Sequence, residues 1–155
     1  MRAPANVRLE RLERILEHLS RESEEGNLII VEGAKDKNAL RAMGIRGRIC
    51  CLQSSRLNPL EFVEELGDIQ QAIVLTDFDG QGIQLAHRLS RTLNSRGSFA
   101  NTSIWRMLRE LTRSNVRSVE ELPGYRESLR LEVEKPYDRF THKFNRQYHL
   151  SKIQQ

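Results

Sequence analysis

Two stretches decide the fold: Leu28-Ile29-Ile30-Val31-Glu32-Gly33 and, further along, Ala72-Ile73-Val74-Leu75-Thr76-Asp77-Phe78-Asp79-Gly80. Each begins as a short apolar run rich in β-branched residues and ends in acids and a glycine. A run without polar alternation reads as a strand covered on both faces, as in a parallel sheet, and not as one with a wet side.

Outward from these strands the pattern alternates. Residues 35–43 are helical in composition, Gly44 and Gly47 bracket a turn, and Arg48–Leu52 reads as a second strand. Pro59 opens a helix over 59–66 that stops near Gly67. Ile83, Leu85, Leu89 and Leu93 place another helix over 81–95, and a weak strand follows near 98–102. Ahead of the first strand, Leu9, Leu12, Ile15, Leu16 and Leu19 recur at helical spacing, which predicts a helix over 7–22. This alternation predicts a three-layer α/β/α fold with a mostly parallel four-stranded sheet and extra N- and C-terminal helices. The expected division is an N-terminal helix (1–26), an α/β core (27–104) and a basic helical extension (105–155) packed on that core.

A chain of 155 residues suits one domain with a proper core. Its longest apolar runs are four residues, far below the ~20 that span a bilayer. The N-terminus carries Glu10, Glu13 and Glu17 and no continuous hydrophobic stretch, so the cytoplasm is the expected location. Cys50 and Cys51 are adjacent, where a mutual disulfide is strained, and with four dispersed histidines they assemble no zinc spacing. Any metal should be held by oxygen.

Open parallel sheets bind ligands outside the carboxyl ends of their strands, where helix N-termini also point. Glu32 and Asp77 each stand at such an end. Asp77 and Asp79 are two apart, so if strand geometry persists their side chains project to one side. Three carboxylates gathered in one crevice repel by roughly 1–4 kcal/mol per pair at 4 Å, and a divalent cation reverses that sign. Magnesium suits such oxygen ligands and keeps several waters. Gly33 and Gly80 allow tight turns beside the acids, Gly82 allows a close backbone approach to a ligand, and helix N-termini near Lys35 and Gln81 offer N–H groups to an anion. Singly, Glu32 and Asp79 read equally as loop acids or helix caps; jointly the three point to a metal site.

The segment LIIVEGAKDKNALRAMGI, followed 45 residues after Glu32 by Asp77 within AIVLTDFDGQG, resembles the Toprim domain of topoisomerases, bacterial primases, the recombination factor RecR and a ribosomal RNA maturation nuclease. The resemblance covers roughly residues 27–100; the chain looks like the small stand-alone Toprim proteins, and its VEG followed by Lys and Asp is, among characterised relatives, most similar to the ribosomal RNA maturation nuclease. It implies that Glu32 is a catalytic general acid or base, and that Asp77 and Asp79, together with Glu32, bind Mg2+, with Mn2+ able to substitute. Asp36 matches an aspartate often found after that glutamate, and could equally serve its helix dipole. The implied function is magnesium-dependent phosphodiester chemistry on nucleic acid, as a small nuclease acting on structured RNA or DNA. The alternative is a non-catalytic binding or assembly factor with a RecR-like role. A haloacid-dehalogenase-type phosphatase fits worse, because Gln81 stands where that family's motif has Thr. The length leaves no room for a topoisomerase's tyrosine domain or a primase's polymerase domain. RNA versus DNA and the number of subunits stay open.

The net charge of +4 arises entirely beyond residue 98, since residues 1–98 hold fourteen basic and fourteen acidic side chains. Arg106, Arg109, Arg113 and Arg117 are spaced three, four and four apart and form one stripe if their helix continues. Such a stripe suits a phosphate backbone, or else is a solvated face with Glu110 as neighbour. With Lys35 and Arg56 these arginines make up the expected nucleic-acid-binding set. Ser118-Val119-Glu120-Glu121 fits a capping box that opens a short helix, with Pro123-Gly124 as its stop. Tyr137, Phe140, Phe144 and Tyr148 recur at helical spacing and read as a packing stripe.

Overall fold

The structure, a computed structural model, describes residues 2–135. The helices expected on either side of Pro136, and the Tyr137–Tyr148 aromatic stripe, lie outside the described residues. The order is α1 (Ala5–Glu24), β1 (Leu28–Val31), α2 (Ala34–Ala42), β2 (Ile49–Cys51), α3 (Leu52–Ser55), α4 (Pro59–Leu66), β3 (Gln71–Leu75), α5 (Gly80–Ser95), β4 (Phe99–Asn101), α6 (Ser103–Thr112) and a 3-10 turn (Val119–Glu121). The turn runs directly into α7, helical over 122–135.

The four strands form one parallel sheet in the order β2-β1-β3-β4. Every residue of β1 is buried, as its unbroken apolar run requires. Val31 is level with Leu75 of β3 and with Cys51 of β2, so the acids that follow β1 and β3 emerge side by side. Helices α4 and α5 pack together, as do α1 and α6, while α2 packs on the 3-10 turn. With the strand order β2-β1-β3-β4, right-handed crossovers put α2 on one face of the sheet and α4 and α5 on the other. Leu12, Leu16 and Leu19 of α1 are buried in the core, which also takes in Ile29, Ile73, Leu89, Ile104 and Leu108. Gly47 lies so close to the end of α1 that a Cβ there would sit 1.9 Å from Ser23 Oγ.

Three expectations need correction. The arginine stripe does not form, because α6 stops at Thr112 and Arg113 turns to φ +51. Nor does Pro123-Gly124 end a helix: Pro123 lies in the first turn of α7, where a missing N–H costs nothing, and the helix runs on to 135. The capping box is also absent. Ser118 makes no side-chain cap, and the Glu121 carboxylate accepts the Arg117 N–H.

Candidate functional site

Glu32 follows β1 directly, and its carbonyl accepts the Gln53 N–H at 2.9 Å, which ties it to the neighbouring strand's exit. Its Oε1 accepts the Asp77 N–H at 3.3 Å, so residues 45 apart in sequence meet at one edge of the sheet. Asp77 and Asp79 are not placed by continued strand geometry, since β3 ends at Leu75. They are set by the junction with α5. Asp79 is the N-cap of α5, its Oδ1 accepting the Gly82 N–H at 2.7 Å. Gly82 itself presses on the backbone of Asp77, where a Cβ would lie 1.9 Å from the Asp77 carbonyl oxygen. Its small size therefore serves helix-to-loop packing and not the approach of a ligand.

The loop is fixed from below and from the side. Thr76 Oγ1 donates to the Gly82 carbonyl at 2.7 Å, and Trp105 Nε1 donates to the Thr76 carbonyl at 2.9 Å, both in the buried interior. The Phe78 N–H donates to the Arg117 carbonyl at 2.7 Å. Asp36, 5% exposed, accepts the Gly33 N–H through Oδ2 at 3.0 Å and the Glu120 N–H through Oδ1 at 2.9 Å. The segment after α6 is thus bonded to both acid-bearing loops. Sequence reasoning could not find these partners, because Asp36 and Glu120 lie 84 residues apart and no local motif links them.

The charge at this edge is excessive for the groups present. Burial, then a side-chain hydrogen bond to Glu32 and the charges of Glu32, Asp36 and Asp79, push the Asp77 carboxyl up to about 8. The pair therefore keeps a proton that a cation could replace. Among the described residues no three His, Cys, Asp or Glu side chains converge as a ready-made metal cage. The donor chemistry still fits magnesium, which binds through one or two carboxylates and completes its shell with water. Asp79 Oδ2 has no hydrogen-bond partner among the described residues, and the gathered acids are all hard oxygen donors. Nearby, the Cys51 thiol contacts the Gly33 carbonyl at 3.6 Å and is pushed up by its burial.

The expected cations are dispersed. Lys35 is exposed in the first turn of α2, and Arg56 is exposed at φ +59 after α3, both beyond the carboxyl ends of strands. Arg106 is held by Thr102 Oγ1 at 2.7 Å, and Arg109 lies over the Trp105 ring at 5.4 Å. Arg113 and Arg117 are exposed in the segment after α6.

The family model for the Toprim domain matches residues 26–102, the stretch that carries all four strands and all three acids. A UPF0292 protein of Methanosarcina barkeri is 36% identical over 127 residues, covering 81% of this chain and 87% of that protein. One from Thermococcus kodakarensis is 34% identical, over 74% of this chain and 85% of its own length. Among solved structures, a putative protein from Aquifex aeolicus superposes with a TM-score of 0.60 at 24% identity, over 70% of this chain and 95% of that one, a likeness of fold. No helix among the described residues is long and apolar enough to cross a membrane. The chain thus carries a Toprim domain over residues 26–102 and belongs to the UPF0292 proteins.

Proposed function

We propose that this chain performs magnesium-dependent phosphodiester chemistry on nucleic acid, as a small nuclease acting on structured RNA or DNA. The observation that supports this is the contact of Glu32 with Asp77 across two strand exits, beside Asp79 at the start of α5. Asp77 and Asp79 would hold the ion, with Glu32 at its border. A bound Mg2+ supplies neutralisation of the charge that develops on a scissile phosphate and its leaving oxygen. Glu32 takes up or returns a proton at its carboxylate during the displacement. Lys35 and Arg56 offer exposed cations to flanking phosphates along the same edge.

The test is incubation of the purified chain with labelled ribosomal RNA precursors and with single-stranded and branched DNA, with and without magnesium. Asp79→Asn is the informative variant, since Asn caps a helix as well as Asp does while lacking the charge. Cleavage should require the metal and vanish in this variant without loss of thermal stability; unchanged cleavage refutes the assignment.

A second reading, a non-catalytic nucleic-acid-binding factor, is favoured by the structural partners of the acids, Asp79 capping α5 and Glu32 accepting the Asp77 N–H. It predicts salt-dependent binding with no cleavage under magnesium or manganese.

A further inference from the structure

Between the N-terminal half of α1 and the end of α6 lies a cavity of about 340 Å³ that the acid edge does not use. Five arginines line it: Arg2, Arg8, Arg11, Arg14 and Arg113. Arg8 is ion-paired to Glu132 at 3.2 Å and Arg14 to Glu10 at 2.6 Å. Arg2, Arg11 and Arg113 have no ion pair among the described residues, and Glu110 is the one acid on the cavity wall. Guanidinium groups gathered this way repel one another and are relieved by an anion with several oxygens. The rest of the wall is apolar, built from Ile15, Leu111 and Met107, the last 39% exposed. A bare anion has no use for that surface, whereas a base freed from its stack does.

Two further observations favour a chain over a single small molecule. Arg2 and Arg8 also line an adjoining cavity of about 560 Å³ that continues past Asn115 and Ser128 to Lys135, with Glu121 and Glu132 on its wall, so the groove is elongated although its far part is of mixed charge. It also leads to the acids. Residues 25–27 turn α1 directly into β1, so a helix running back along the sheet places Arg2 to Arg14 toward the carboxyl edge. Arg113 opens the segment whose Arg117 carbonyl holds the Phe78 N–H between Asp77 and Asp79.

We propose that the α1–α6 trough is a docking site for single-stranded nucleic acid, with Arg2, Arg11 and Arg113 on its phosphates and Met107 and Leu111 against an unstacked base. The choice of nucleic acid rests on the function proposed above; the trough itself rests on its own geometry. The trough takes a single strand because a duplex would keep its bases from the apolar wall.

The experiment is fluorescence anisotropy of the full chain with labelled twelve-residue oligothymidylate and oligouridylate. EDTA is present throughout, so that no metal-dependent chemistry contributes. Wild type should bind, with log affinity falling against log salt at a slope of about −2 for three phosphate contacts. The R11E/R113E double variant, altered at two exposed positions, should bind at least tenfold more weakly, with a slope shallower by about 1.4. R11Q/R113Q, checked like it by circular dichroism, should weaken binding in the same direction. R88E/R91E, on exposed positions of α5 outside the trough, should stay within twofold of wild type.

Absence of oligonucleotide binding, indifference to Arg11 and Arg113, or equal weakening by R88E/R91E would overturn the proposal. So would displacement of the strand by micromolar mononucleotide, which would assign the cavity to a free nucleotide, or by a duplex of equal length. A protein that binds through the trough but never cleaves would sink the nuclease reading alone. One that cleaves, yet binds without regard to these arginines, would sink the trough alone.

Discussion

The residues at the acid edge carry structural tasks of their own. Asp79 caps α5 through one oxygen, and Asp36 holds two backbone amides that no other side chain among the described residues reaches. Gly82 shows how tight the fit is. Gly82→Ala puts a methyl group 1.9 Å from the Asp77 carbonyl oxygen, which backbone can relieve only by shifting. The expected cost is ~1–3 kcal/mol of stability, as for other overpacked sites. Metal binding should weaken too, because Asp77 moves; calorimetric titration with magnesium alongside thermal melting checks both. Glu32, Asp77 and Asp79 were legible because a buried strand announces itself and the acids directly follow it. Gly82 was misread because the residue it touches is five positions back, around a corner that composition does not draw.

At the scale of elements, the β-α alternation was legible to within one or two residues, and the path of the chain beyond α6 was not. Periodicity carries the arginines of 106–117 on one face only if the helix persists. No glycine or proline marks the stop at Thr112, whose hydroxyl bonds the Leu108 carbonyl inside the core. Tertiary packing ends that helix and sends the chain back to α2. The clasp it makes there can be measured. Asp36→Ala leaves the Gly33 and Glu120 amides without their acceptor, a loss on the order of 1–3 kcal/mol. The Glu120 amide should then exchange its hydrogen much faster than the amides of β1, with Asp36→Asn intermediate. Equal protection in all three proteins would show that the clasp is incidental.

For the whole molecule, the cost of collecting acids appears as a dependence on pH. The Asp77 carboxyl is raised to about 8 from 3.8, so between those values the folded chain holds a proton that the unfolded chain has released. Its folded form is therefore favoured below about pH 4, and that contribution is lost as pH rises toward 8. In EDTA, the melting temperature of wild type should fall relative to that of Asp77→Asn between pH 5 and pH 8. Magnesium should narrow the gap at the alkaline end, where it displaces the proton most easily. Parallel pH dependence of the two proteins would place the proton elsewhere.

The Arg117 carbonyl and the Asp36–Glu120 bond carry a lesson about inheritance. The Toprim match stops at residue 102, yet two of the bonds that seat its acid loops are supplied by residues 117 and 120. Transplanted alone into another protein, the matched stretch would arrive with its acids but without their backing.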